Sequence, residues 1–154
     1  MMPGARSSSA ELRIAIQRPA EVIALQARAR AFAAAAGLAN VACWEVAIAV
    51  SEAATNMIKF AGGGVVTLRV GDDPRPHVAV EAHDRGGGIA HLEEALVDNI
   101  SEGVDAREVS DPRGRRGLGL GLGAIKRLMD EVEIDSAVGE GTTIRARKWI
   151  PTRS

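Results

Sequence analysis

The sequence predicts an α+β fold, a two-layer sandwich in which a mixed, mostly antiparallel sheet is covered on one face by helices. Three observations predict it. Several stretches alternate apolar and polar residues, the period of a half-buried strand. Others are alanine-rich and carry helix-terminating signals. The order is strand, two helices, two strands, helix, loop, helix, two strands, so helices come in runs between paired strands rather than alternating as in a doubly wound fold.

The elements follow in turn. "ELRIAIQ" (11–17) places Leu12, Ile14 and Ile16 on one side of a strand. Residues 19–37 form a helix that Pro19 opens and Gly37 caps. A second helix starts near Asn40 or Val41 and ends at the glycines 62–64. Strands at 65–71 and 77–84 flank the turn "DDPRP". A short helix follows near 91–98, then a polar loop at 99–116. The helix at 121–131 gathers Ile125, Leu128, Met129 and Val132 on one side. Strands at 131–138 and 142–150 surround the turn "GEG". Cys43 and Trp44 read as packing residues, Trp149 as core or a contact surface, and His83 as a strand residue facing the helical layer.

Composition narrows the function. A chain of 154 residues fits one domain with a full core, read as residues 11–150 behind a flexible tail at 1–10. Net charge is −1 and there is no tyrosine, which argues against nucleic acid and against an anionic membrane surface. Cys43 is the single cysteine, in keeping with a reducing cytoplasm. No run approaches the roughly 20 apolar residues of a membrane helix.

Four short motifs carry chemistry. In "SEAATNMIKF", Glu52, Asn56 and Lys59 are spaced to share one face of the second helix. An amide oxygen at Asn56 suits a hard cation such as Mg²⁺. A carboxylate one turn earlier, Glu52, can take a proton from a hydroxyl, and Lys59 can pair with phosphate. A solvated charged face is the alternative. In "HDRGGGIA", a strand delivers Asp84 to a fixed place, and Gly86 and Gly88 let the backbone come close to a flat ligand. Asp84 accepts hydrogen bonds and suits an exocyclic amine such as that of adenine; a plain Asp-Gly turn is the alternative. "GRRGLGLGLGAIKRL" sets alternating glycines ahead of a helix, a phosphate-binding arrangement that is neither a P-loop nor part of a βαβ unit. In "GEGTTIRA", Thr142 can line a pocket through its hydroxyl.

These four motifs, in this order, resemble the ATPases and kinases with the Bergerat ATP-binding fold, the GHKL superfamily. Glu52 to Asn56 matches ExxxN. Asp84, Gly86 and Gly88 match DxGxG. Gly117, Gly119 and Gly121 match GxGxG, and Gly139, Gly141 and Thr142 match GxGT. Within that superfamily the chain is similar, over roughly residues 11–150, to the small serine/threonine switch kinases of bacterial stress signalling, the RsbT type. The resemblance implies an ATP- and Mg²⁺-dependent cytoplasmic kinase acting on a STAS-domain protein, in some cases within a stressosome, and a PP2C-type phosphatase as a second partner. It implies Glu52 as general base, Asn56 as magnesium ligand and Asp84 as reader of adenine, with Gly86, Gly88 and Thr142 on the adenine side. Lys59 faces phosphate, and Arg116, Gly117, Leu118, Gly119, Leu120 and Gly121 belong to a phosphate lid at about 99–118 and just beyond. Two alternatives share this site: an anti-sigma factor kinase of the RsbW or SpoIIAB type, and a non-catalytic nucleotide-gated binding module.

Overall fold

The computed structural model describes residues 10–86, 122–137 and 139–152. The tail up to residue 9, the helix expected near 91–98 and the lid lie outside the described residues. Five strands form one sheet: β1 (Glu11–Ile16), β2 (Gly64–Gly71), β3 (His77–Asp84), β4 (Glu131–Ala137) and β5 (Gly141–Trp149). Their order across the sheet is β1-β2-β3-β5-β4, and every pairing among them is antiparallel. Among the described residues three helices accompany it: α1 (Pro19–Ala36), α2 (Asn40–Ala61) and α3 (122–128).

The helices start and stop for local reasons. Pro19 fits the first turn of α1, where its missing N–H is no loss. Glu21 reaches back to accept the backbone N–H groups of Gln17 at 2.7 Å and Arg18 at 2.9 Å. Those bonds hold its carboxyl below the usual range. Gly37 and Gly62 end α1 and α2 in the left-handed region, where a Cβ is unfavourable. α3 stops at 128, short of the expected 131, because the sheet captures the chain. Asp130 N–H donates to the Arg147 carbonyl at 2.9 Å, and its carboxylate accepts the Trp149 N–H at 2.8 Å.

The core lies between the sheet and the helices. α1 buries Leu25, Ala29 and Ala33, four residues apart, so one narrow stripe of small side chains meets α2. α2 buries Val46, Val50, Ala53 and Met57. Beneath them, Ile16, Val66, Leu68, Val80, Ile144 and Ala146 present alternate strand positions. α2 is itself 22 residues long and, by length and composition alone, apolar enough to cross a membrane. The expectation that no run approaches that length is corrected here. The apolarity of α2 has another use, since it is the central helix of the core.

Two further expectations change. Trp44 is 44% exposed rather than packed inside, because its neighbour Cys43 takes the core-facing position and the next residue lies about 100° around the helix. The Arg30 guanidinium covers the Trp44 ring at 4.6 Å. His83 belongs to the open face of the sheet, since Val80, Ala82 and Asp84 occupy the helix-facing positions of β3. Its Nδ1 bonds the Thr143 hydroxyl at 2.7 Å on that face.

Candidate active site

The sheet register brings the polar residues of two motifs into line. Asp84, the last residue of β3, pairs directly with Thr142 on β5, and Thr142 pairs with Ser136 on β4. All three stand on the helix-facing side, at the end of the sheet over which α2 passes. One cleft is lined by Ala53, Asn56, Met57, Asp84, Leu122 and Thr142, among others. The structure therefore brings together Asn56, Asp84 and Thr142 from α2, β3 and β5.

Two glycines make this convergence possible. A Cβ on Gly86 would stand 2.4 Å from the Ala61 Cβ, so the chain leaving β3 passes directly over the end of α2. Gly141 has φ +91°, and a Cβ there would meet the Asp84 carbonyl oxygen at 2.1 Å. The start of β5 can press against the end of β3 only without that atom. Gly86 was expected to admit a ligand; here it admits a helix.

The polar groups differ in how they are satisfied. Asp84, 8% exposed, accepts the Gly86 N–H through Oδ1 at 2.9 Å. That bond turns the chain and leaves the second carboxylate oxygen available to a donor in the cleft. The Thr142 hydroxyl is 2.8 Å from that of Ser136, which fixes its direction. Asn56 is 7% exposed, and its Nδ2 has no partner among the described residues. Leaving a buried donor unpaired costs about 1–3 kcal/mol, so this carboxamide calls for a partner that the described residues do not supply.

The rest of the helix stripe grades outwards. Glu52, one turn before Asn56, is half-buried. Lys59 is exposed and does not line the cleft; it sits in the last turn of α2, where a cation complements the helix dipole. Gly88, Arg116, Gly117, Leu118, Gly119, Leu120 and Gly121 lie outside the described residues. Sequence reasoning passed over Met57, Phe60, Leu122 and Ile144, which wall the cleft, and Ser136, which braces Thr142. Helical spacing from Asn56 points to Met57 and Phe60, but Ser136 becomes visible only through strand register.

The residues fit a nucleotide and a hard cation. Aliphatic walls from Ala53, Met57 and Ile144 suit the faces of a purine, and Asp84 can accept from its amine. Among the described residues no three His, Cys, Asp or Glu side chains cluster as metal ligands. The carboxamide of Asn56 is the hard donor at hand, and magnesium commonly takes one or two protein ligands beside phosphate and water. The cleft now encloses only about 20 Å³, so a base entering it must part its walls. A larger concavity of about 710 Å³ lies on the open face of the sheet, near Arg69, Glu81, Arg145 and Arg147. Most of its charges already pair across strands: Arg69 with Glu11 at 3.7 Å, Arg145 with Glu81 at 3.9 Å, Arg147 with Glu131 at 3.1 Å. The unpaired buried group lies in the small cleft, and that decides between them.

Known proteins carry the same pattern. The profile of the histidine kinase-like ATPase domain matches residues 16–148. The chain belongs to this family. It is 32% identical over 131 residues to the serine/threonine-protein kinase RsbT of Bacillus subtilis, covering 84% of this chain and 90% of that one. It is 30% identical over 111 residues to the anti-sigma F factor of Caldanaerobacter subterraneus, covering 69% of each. The anti-sigma F factor of Clostridium acetobutylicum is 33% identical over 107 residues, covering 68% of each. Within the histidine kinase-like ATPase family this chain is an ATP-dependent serine/threonine kinase of the RsbT type.

Proposed function

We propose that this kinase transfers the γ-phosphoryl group of Mg·ATP to a serine or threonine hydroxyl on a STAS-domain protein of a cytoplasmic stress pathway. A PP2C-type phosphatase is a second partner, and a stressosome is one setting in which the acceptor would be met. The observation that carries the reading is the unpaired amide of Asn56 facing the same cleft as Asp84 and Thr142. Magnesium bound there supplies charge neutralisation on the triphosphate. The chain's own residues then have distinct tasks. Asn56 offers its oxygen to the metal and its NH₂ to a phosphate oxygen. Asp84 accepts from the exocyclic amine of the purine, and Thr142, held by Ser136, completes that wall. Glu52 stands one helical turn from Asn56, about 6 Å along the axis, where it can take the acceptor's proton. Lys59 continues the stripe and pairs with phosphate if the triphosphate extends along α2.

The test is Glu52→Gln. It should retain nucleotide binding by calorimetry and lose transfer of ³²P to a STAS-domain protein by about 10²–10⁴-fold. Transfer at the wild-type rate overturns the assignment of the base.

The anti-sigma F relatives favour a second reading, in which the same site serves a protein that also sequesters a sigma factor. The RsbT match spans more of both chains, which favours the first. Capture of sigma factors rather than STAS-domain proteins would reverse the preference. Nucleotide binding with no transfer to any partner would instead indicate a nucleotide-gated binding module.

A further inference from the structure

The outer side of the α1–α2 pair carries apolar side chains that the core does not use. Val41 is 70% exposed, Trp44 44% and Ile48 37%. Their spacing, three then four residues, puts them in one stripe along α2. The next position of that stripe is Glu52, four residues after Ile48. Arg30 of α1 stacks on Trp44, so the two helices run past each other with these residues level. Seven residues back on the same side of α1 is Ile23, 73% exposed. Seven residues forward on α2 is Ser51, beside Glu52. By helical rise both lie about 10 Å from the Arg30–Trp44 contact, so Ile23 flanks the level of Glu52.

We propose that this surface docks the acceptor protein, as a folded domain with an apolar patch edged by carboxylates. The proposal rests on the kinase reading above and names where its protein substrate is held. Two features choose this occupant. The stripe is continuous with Glu52, so a domain seated on Val41, Trp44 and Ile48 brings its edge to the group that must meet its hydroxyl. The charge flanking the stripe, apart from Glu52 itself, is also mostly positive. Arg30 and Lys59 are exposed along it, while two acids nearby are engaged, Glu45 with Lys148 at 2.7 Å and Glu21 with backbone N–H groups, which leaves Glu52 as the carboxylate of the stripe itself. Remaining exposed positions of α1 are mostly alanine, including Ala24, Ala27, Ala31, Ala34 and Ala35, which leave a flat surface open to close contact. A tryptophan at the centre of an apolar patch is the kind of residue on which binding concentrates.

The experiment uses the full chain and the STAS-domain protein labelled in the transfer assay. Variants are Val41→Glu/Ile48→Glu, Trp44→Ala and Arg30→Glu. Each should leave Mg·ATP affinity and the thermal transition near wild type. Each should raise the KM for the acceptor at least ten-fold, with kcat within about two-fold of wild type. The rise for Arg30→Glu should shrink at high salt. Binding is measured in parallel on a Glu52→Gln background, where transfer plays no part. Unchanged KM with intact wild-type transfer overturns the docking surface and leaves the kinase reading standing. Patch-sensitive binding with no phosphate on the acceptor leaves the docking surface and overturns the kinase reading. Loss of a dimer in ultracentrifugation, with KM unchanged, assigns the stripe to a second copy of the chain and overturns the proposal. Lowered KM after removal of residues 1–9, with the glutamate substitutions then without effect, assigns it to the chain's own tail and does the same.

Discussion

Replacing Asn56 by leucine should make the nucleotide-free protein more stable and the nucleotide-loaded protein less so. The amide is 7% exposed and its Nδ2 is unpaired. That costs about 1–3 kcal/mol. Leucine has the same branching and the same number of side-chain heavy atoms, and the adjoining cleft of about 20 Å³ takes up its extra bulk. Setting some repacking against the relief leaves a gain of about 1–2 kcal/mol. At about 2–4 °C per kcal/mol for a chain of this length, Tm rises by about 2–8 °C. With Mg·ATP at 100 times Kd the wild type gains about 2.7 kcal/mol, and the variant, lacking the carboxamide, gains none. The melting curves of the two proteins therefore exchange order when nucleotide is added. Melts by circular dichroism with and without Mg·ATP, at one protein concentration, read this directly. A variant that melts below wild type without nucleotide refutes the claim that the amide is a cost. A variant that keeps its nucleotide-dependent rise refutes its role as a ligand.

Three other outcomes are expected. Gly86→Ala places a Cβ 2.4 Å from that of Ala61 and 2.8 Å from its Cα and should cost about 1–3 kcal/mol in denaturant titrations; Ala61→Gly in the same chain should recover only part of it, because the backbone contact stays, and full recovery would show that the Cβ clash alone matters. Lys148→Met removes a side chain that bonds both Glu45 at 2.7 Å and the Leu128 carbonyl at 2.5 Å. With Glu45 a third exposed to water, the loss should be about 1–2 kcal/mol rather than the larger cost of a fully buried pair. Glu21→Ala tests a pH dependence. The carboxyl of Glu21 is held below its ordinary 4.5 by the N–H groups of Gln17 and Arg18, so its stabilisation is complete above that value. It is lost as pH falls through the lowered folded value. Wild type and variant should differ most in denaturation midpoint above pH 4.5 and converge below it.

The fold was readable where one force dominates a stretch. Alternation in 77–84 matches β3 residue for residue, and Gly37 and Gly62 end helices where expected. It was less readable where distant chain decides. Nothing in 121–131 shows that Asp130 will bond to β5, so the end of α3 could not be placed from its own residues. Trp44 illustrates a second limit. Hydrophobicity says that burial is favourable, not which side of a helix will be covered, and Cys43 took the covered side.

The candidate site shows why motifs can be located correctly and still be explained in part. Asp84 and Thr142 were each found singly; their meeting depends on register, which pairs them across β3 and β5. Gly86 was read as an opening for a ligand and Gly141 as part of a turn. In the structure Gly86 clears Ala61 and Gly141 clears the Asp84 carbonyl. Both readings exclude a Cβ, so the sequence cannot distinguish them. The consequences differ. A glycine needed only by a ligand should tolerate alanine in the free protein and fail on binding. One that packs against its own chain should lose stability first, with binding falling because the cleft has shifted. Since Gly86 and Gly141 are crowded by protein atoms before any nucleotide enters, the motif at these positions is first a packing requirement. The purine-reading acid is held in place by the same contacts that forbid a side chain there.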